Sequence, residues 1–224
     1  MSLKELKSEM STSAVRGKYS INSLLAEGYS KNLQQSNVLR RADGIYNLFV
    51  GHRKHVYKND RILGSIQGIF SEEEPFPDAN KIVSEMGRRT FGTGYDHYAP
   101  NYEHFLQKGI PGVIADIDSS LKKYEGDSQK TDFLKAARKT MEAMSVVLCQ
   151  YADEAQKLGL EKEAQCCRYV ATNAPKTFSQ ALQLVFMSYI LFVYEERYAM
   201  AFGRMDQYLY PYYKADVESG TLTK

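Results

Sequence analysis

The sequence predicts a mainly α fold with two or three short strands. The strongest indication is residues 130–158, where apolar side chains recur every three or four positions with charged ones between them. A second is Thr177, which has Gln180 three positions later, the spacing of a helix capping box. A third is that only residues 61–70 have a strand-like composition, and two glycines interrupt them.

The N-terminal part of the chain divides into a polar segment and a helical one. Residues 1–18 are rich in Lys and Ser and are predicted to be a flexible N-terminus. The rest, residues 19–224, is predicted to form one helical unit. Apolar residues recur at helical spacing over 21–33 and 38–49, which predicts its first two helices.

The middle of the chain is expected to be less regular. Residues 61–70 are predicted to form a strand, and Asp78 is predicted to cap a helix over about 79–90. Glycines and a proline punctuate residues 91–101, which predicts an irregular connection.

The C-terminal half is predicted to contain four helices, at about 112–124, 130–158, 161–171 and 178–198. Gly159 fits the end of the second of these helices, because glycine commonly follows a helix C-terminus. The face of that helix expected to be buried comprises Phe133, Ala137, Met141, Met144, Leu148, Tyr151 and Ala155.

Composition limits the classes of function. With 29 basic and 27 acidic residues, the net charge of +2 gives no electrostatic case for nucleic-acid binding. Three cysteines do not make a disulfide framework, which favours a reducing cytoplasm. The most apolar window, residues 181–194, is shorter than the roughly 20 residues that span a bilayer, so a buried helix and no membrane association are predicted.

The segment Gly203–Tyr213 has the composition of a functional element. It combines a glycine, an Arg and an Asp two positions apart, four tyrosines and Pro211. From the residues alone, Asp206 has two interpretations. It could accept a hydrogen bond from a polar substrate, or it could form a buried structural ion pair with Arg204, which requires good geometry to offset desolvation.

Three segments of the chain resemble the glycyl radical enzymes, the family of pyruvate formate-lyase and the diol, choline and hydroxyproline lyases. Residues 203–213 are similar to the family's GR-[LM]-DQ-x-L-x-P-[FY]-Y signature. Residues 174–183 are similar to its PA-x-T-[FY]-x-[EQ]-A-[LI]-Q helix start, and residues 96–109 to its D-H-x-x-P-[DN]-Y segment. The three blocks in this order make a specific match, whereas residues 1–90 match only loosely.

The resemblance implies the helical N-terminal portion of a ten-stranded α/β barrel. In the intact family, a glycyl radical is installed by a separate S-adenosylmethionine-dependent iron–sulfur activating enzyme and passes to a cysteine that takes hydrogen from the substrate. The family's radical-glycine motif and catalytic-cysteine segment do not occur among these 224 residues. The resemblance therefore implies no catalytic residue and no bound cofactor in this chain, which is expected to be inactive alone.

The implied partners are a small-molecule substrate, the activating enzyme, the remainder of the barrel or a companion chain, and a second copy of the protein. The chain would supply helical scaffold and one wall of the substrate pocket. The alternative is a non-catalytic helical binding or scaffold module derived from the family, because apolar helix faces without a barrel to cover them tend to bind partners.

Substrate-binding residues are also implied by the resemblance. His97 beside Asp96 is, from the residues alone, either a hydrogen-bonding group for substrate or an exposed loop histidine. The family match favours the first interpretation, with Tyr95 and Tyr102 as companions. The same match implies that Asp206 binds substrate. The residues expected to support the segment structurally are Gly203, Arg204 and Gln207.

Two other pairs of residues suggest chemistry but are interpreted as structural. Cys166 and Cys167 are adjacent, as is the cysteine pair of pyruvate formate-lyase, but the resemblance places them where relatives carry a non-catalytic cysteine, so they are predicted to be small buried hydrophobes. His52 and His55 have a spacing that two helical metal ligands could use. Because basic residues lie between them and few ligands lie near, a solvated basic patch and no metal site are predicted.

Overall fold

The computed structural model describes residues 4, 7–8, 18–19, 21–66, 70–71, 75–87, 97–197 and 199–223, and it is mainly helical. Most of the predicted flexible N-terminus lies outside these residues. The elements in chain order are β1 (Lys18–Tyr19), α1 (Ile21–Ser30), α2 (Asn37–Gly51), β2 (Phe70–Ser71), α3 (Ala79–Glu85), α4 (Tyr102–Lys123), α5 (Ser128–Lys157), α6 (Glu161–Thr172), α7 (Phe178–Tyr194), α8 (Met205–Tyr208) and α9 (Tyr210–Glu218).

Helix α5 lies at the centre of the helical assembly and packs against α2, α4, α6 and α7. Its buried side chains are Ala136, Ala143, Met144, Val147, Leu148, Tyr151, Ala152 and Ala155. The predicted buried face is therefore confirmed for Met144, Leu148, Tyr151 and Ala155, whereas Ala137 and Met141 are half-buried and Phe133 is 63% exposed. Phe133 lies before the buried part of α5 and lines a surface groove beside Val38 and Ile45 of α2.

Helix α4 begins earlier than predicted. Asn101 caps it by accepting a hydrogen bond from the His104 backbone N–H at 3.1 Å. Within it, Gly109 has φ 61° and ψ 179°, which breaks the helix before Pro111. A Cβ at Gly109 would lie 2.7 Å from the Ala174 Cα, so only glycine allows this close approach. The Gly109–Pro111 break explains why periodicity identified only the later part of α4.

Residues 61–66 do not form the predicted strand. The Gln183 side chain, buried on α7, accepts from the Leu63 N–H at 2.7 Å and donates to the Leu63 carbonyl at 2.8 Å. Tyr151 donates to the Ser65 carbonyl at 3.1 Å, and Tyr194 also donates to it. Side chains of α5 and α7 thus satisfy the backbone groups that a neighbouring strand would otherwise pair.

Short elements complete the fold. β1 and β2 pair antiparallel, with Lys18 opposite Ser71 and Tyr19 opposite Phe70. Asp78 precedes α3, but its side chain makes no capping hydrogen bond, and α3 ends at Glu85 rather than near residue 90. The capping box at Thr177 and Gln180 is confirmed. Among the described residues, no helix combines the length and apolar character needed to cross a membrane.

Candidate functional site

The segment before α8 is joined to the segment before α4 by a backbone hydrogen bond. The Ala201 N–H donates to the Tyr98 carbonyl at 3.0 Å. Gly203 follows with φ 65°, a conformation that favours glycine, and a Cβ there would lie 3.3 Å from the Ala99 Cβ. Two of the segments singled out by sequence, which are about a hundred positions apart, therefore lie side by side.

An aromatic cluster fills the space behind this junction. The Tyr102 ring lies 5.6 Å from the Tyr208 ring and 6.5 Å from the Phe202 ring, measured between centroids. Tyr189 of α7 adds a fourth ring, 4.7 Å from Phe202. The Tyr208 hydroxyl donates to the Phe202 carbonyl at 2.7 Å, and burial raises the pKa of Tyr208 to about 12. Tyr208 is therefore a neutral structural group at physiological pH.

Arg204 and Asp206 form an ion pair, with hydrogen bonds of 3.1 and 2.9 Å between the guanidinium and the carboxylate. The interpretation of this pair as buried is wrong, because the two side chains are 70% and 65% exposed. The hydrogen bond from Arg204 holds the pKa of Asp206 below its usual range, so the carboxylate is ionised near neutral pH. The pair presents its charges to the exterior of the described chain.

A polar groove of about 300 Å³ lies between the start of α4 and helices α8 and α9. Its lining includes Glu103 and Gln107 from α4 and Arg204 and Gln207 from the signature segment. These side chains provide hydrogen-bond donors and acceptors and both signs of charge, but no nucleophile. The groove can therefore bind and orient a small polar molecule.

The sequence interpretation missed Glu103 and Gln107, although their positions carry a signal. They lie within the matching block 96–109 and are four residues apart, which puts them on one face of a helix. His97 itself is exposed. The lining of the polar groove includes neither His97 nor Asp206, and Tyr95 lies outside the described residues.

A buried carboxylate anchors the end of the signature segment. Asp216 of α9 is 8% exposed and accepts from the Phe178 backbone N–H at 2.8 Å. Phe178 is the first residue of α7, so Asp216 places a negative charge at a helix N-terminus, where the helix dipole favours it. Sequence reasoning missed this contact because the acceptor and the donor are 38 residues apart.

The solvated basic patch predicted around His52 is wrong. His52 is 4% exposed, and Lys54 is 8% exposed. The Lys54 Nζ donates to the carbonyls of Phe49, Val50 and His52 at 2.7–3.0 Å. It thus provides hydrogen bonds for backbone carbonyls at the C-terminal end of α2, which have no partner within the helix. No group of residues able to hold a metal ion occurs in the described ranges.

The cysteines behave as small hydrophobes. Cys167 is fully buried and Cys166 is half-buried on α6, and neither forms a disulfide. Burial raises the pKa of both thiols, that of Cys166 to about 11. Neither thiol is therefore poised as a thiolate near neutral pH.

Comparisons with known proteins match most of the chain. The family model described as "PFL-like: Pyruvate formate lyase-like" matches residues 66–224. The probable dehydratase YbiW of Escherichia coli K12 is 32% identical over 178 residues, which is 72% of this chain and 22% of that protein. The (2S)-3-sulfopropanediol dehydratase of Klebsiella oxytoca is 33% identical over 165 residues, 63% of this chain and 20% of that protein.

Solved structures share the fold. A structure from work on 1,2-propanediol dehydration in Roseburia inulinivorans has a TM-score of 0.84 at 19% identity, covering 99% of this chain and 35% of that one. A glycyl radical enzyme from Archaeoglobus fulgidus has a TM-score of 0.77, also at 19% identity, covering 98% and 38%. These likenesses confirm the predicted fold class. The chain spans about a fifth of the length of the two curated relatives.

Proposed function

The chain belongs to the pyruvate formate lyase-like family, and we propose that it supplies the helical scaffold and one wall of the substrate pocket of a glycyl radical lyase or dehydratase. The observation that carries this proposal is the 3.0 Å backbone bond from Ala201 to Tyr98. It joins the two segments that resemble the family's pocket-forming blocks, so residues that are distant in sequence can act on one ligand.

In this proposal, His97 and Asp206 provide hydrogen bonds to the substrate, and Tyr95 and Tyr102 complete the wall. Gly203 permits the turn that brings the signature segment beside Ala99. The supporting polar side chains are Arg204, which pairs with Asp206, and Gln207, which lines the groove. Support for a hydroxylated substrate comes from the similarity to the (2S)-3-sulfopropanediol dehydratase of Klebsiella oxytoca, which acts on a diol.

The radical chemistry would come from groups outside the residues described here. A glycyl radical, when present, supplies hydrogen abstraction through a cysteine, and an activating enzyme installs it. The cysteines of this chain do not fit that role, because Cys167 is fully buried and neither Cys149 nor Cys166 lines the polar groove. This chain's residues bind and orient the substrate.

The test uses the complete gene product, made anaerobically together with a radical-activating enzyme. We expect an electron paramagnetic resonance signal from a glycyl radical and turnover of a small diol. His97→Gln should keep the radical signal but lower kcat/KM for the diol by about tenfold to a hundredfold, the range for leaving a buried polar group of the ligand without its partner. The matched control is His104→Gln, because His104 is exposed on α4.

Two results would argue against the proposal. A complete gene product that never gives a radical signal favours the non-catalytic scaffold module instead. Equal kcat/KM for His97→Gln and His104→Gln, with the signal intact, would remove His97 from the pocket.

A further inference from the structure

A second cavity is lined by Tyr102 but by none of the other rings of the aromatic cluster. It has a volume of about 280 Å³ and opens at the junction of α2, α4, α5 and α7. Its walls are largely apolar, with Phe49, Phe105, Val113, Met144 and Leu191 among the lining residues. This composition is typical of a site for an apolar small molecule.

The Tyr102 hydroxyl is the polar group of this cavity that lacks a partner. Tyr102 is 2% exposed, and its hydroxyl makes no hydrogen bond of normal geometry within the described part of the chain. The neighbouring Ser188 hydroxyl donates to the Val185 carbonyl at 2.7 Å. The Thr140 hydroxyl donates to the Ala136 carbonyl at 3.1 Å. Burial raises the pKa of Tyr102, and the nearby Ser188 side chain only partly offsets this, because the Ser188 and Thr140 protons are used by the backbone.

A buried hydroxyl without a partner is unfavourable, and native proteins rarely leave one in that state. A ligand that brings its own hydroxyl into the cavity would satisfy it. A charged ligand would not, because Glu195, the acidic residue among those lining the cavity, already pairs with Arg197 at 3.5 Å. Desolvating a charge in an apolar cavity is costly without a counter-ion.

The volume sets the size of the ligand. A cavity of about 150 Å³ lined by aliphatic and aromatic side chains holds one benzene molecule. The cavity behind Tyr102 is nearly twice as large, which suits two fused rings or a ring with a short alkyl chain. We propose that it binds a neutral aromatic alcohol of that size, with the ligand hydroxyl hydrogen-bonded to Tyr102.

This inference does not depend on the proposed function. Its site is separate from the polar groove, since the two linings share no residue. The Tyr102 ring is also in contact with Tyr208 of the signature segment, at 5.6 Å between ring centroids. A ligand in the cavity would therefore contact Tyr102, a residue that is also proposed to belong to the wall of the substrate pocket.

Binding can be measured with 2-naphthol, naphthalene and 2-naphthalenesulfonate as probes for the 224-residue chain. The chain contains no tryptophan, so naphthol emission can be excited beyond the absorption of tyrosine. We expect saturable binding of 2-naphthol, binding of naphthalene about fivefold weaker for want of one hydrogen bond, and no binding of the sulfonate.

Variants then locate the probe. Tyr102→Phe should reduce the affinity for 2-naphthol to the level of the affinity for naphthalene, and it should leave the affinity for naphthalene unchanged. It should not lower the melting temperature. Val113→Phe should fill the cavity and abolish binding of both probes. The matched control is Ala137→Phe, which fills the neighbouring groove between α2 and α5 and should leave binding unchanged.

The proposal fails if 2-naphthol does not bind, or if Val113→Phe binds it as well as Ala137→Phe does. It also fails if Tyr102→Phe keeps the preference for 2-naphthol over naphthalene. Tyr102→Phe removes a single buried oxygen and adds no volume, so it keeps the proposal testable even if Val113→Phe does not fold.

Discussion

The buried imidazole of His52 should make the protein sensitive to mild acid. His52 follows the last residue of α2 and is 4% exposed, with its ring centroid 3.9 Å from that of Tyr194. Its Nδ1 lies 2.9 Å from the Leu48 carbonyl, to which the neutral ring can donate. Burial, assisted by the nearby Lys54 ammonium, lowers the pKa of His52 from 6.5 to about 3.

The direction of the effect follows from proton binding. Between pH 6.5 and about 3, the unfolded state holds a proton on His52 and the folded state does not. The stability that the neutral His52 ring contributes is therefore fully present above pH 6.5 and is lost as the pH falls toward 3. Burial also lowers the pKa of Lys54 to about 7, but Lys54 titrates in the wild type and in His52→Phe alike. At pH 5, this proton binding lowers the free energy of unfolding by about 2 kcal/mol, and the full loss of about 5 kcal/mol is reached only below pH 3.

Urea unfolding at pH 7.5 and pH 5 tests this magnitude. His52→Phe keeps a ring against Tyr194 but cannot titrate, so its free energy of unfolding should fall by about 2 kcal/mol less than that of the wild type over this interval. His104→Gln changes an exposed histidine and should match the wild type. If His52→Phe and the wild type lost equal stability between the two pH values, His52 would not be a desolvated neutral group, and the argument would be refuted.

Three substitutions test other contacts, each by urea unfolding at pH 7.5. Gln183→Leu should cost about 2–4 kcal/mol, because it leaves the N–H and carbonyl of Leu63 buried without partners; a loss below about 0.5 kcal/mol would contradict the paired hydrogen bonds. Asp216→Ala should cost about 1–2 kcal/mol by removing the acceptor for the Phe178 N–H, and an unchanged midpoint would contradict that role. Gly109→Ala should cost at least about 2 kcal/mol, from its positive φ and its contact with backbone, and equal stability would mean that the break in α4 relaxes freely.

Regular helices could be predicted from the sequence because the patterns that indicate them are local. The face of α5 repeats every three or four positions, and the capping box at Thr177 lies within one helical turn. Phe133 fits the same repeat but is exposed, since the buried residues of α5 begin at Ala136. Periodicity indicates which face of a helix is apolar, but not where along its length the neighbouring helices end.

The contacts of buried polar residues could not be predicted from the sequence in the same way. Nothing in the sequence around Gln183 indicates that its amide pairs with the backbone of Leu63, 120 positions away. In the sequence, Lys54 looks like a solvent-exposed cation. In the fold, its Nζ donates to three carbonyls at the end of α2. In both cases the partner is a backbone group whose position depends on the completed fold.

The same reasoning explains how the candidate site is positioned. The signature segment is held by the Ala201 N–H on Tyr98, the Tyr208 hydroxyl on the Phe202 carbonyl, and Asp216 on a backbone N–H of α7. In each contact one partner is a backbone atom, so the side chain of that residue does not matter. Reasoning from residue types therefore cannot find the contact. Because these contacts fix the segment, the exposed polar side chains between them need not pack in the core, and they can serve a ligand.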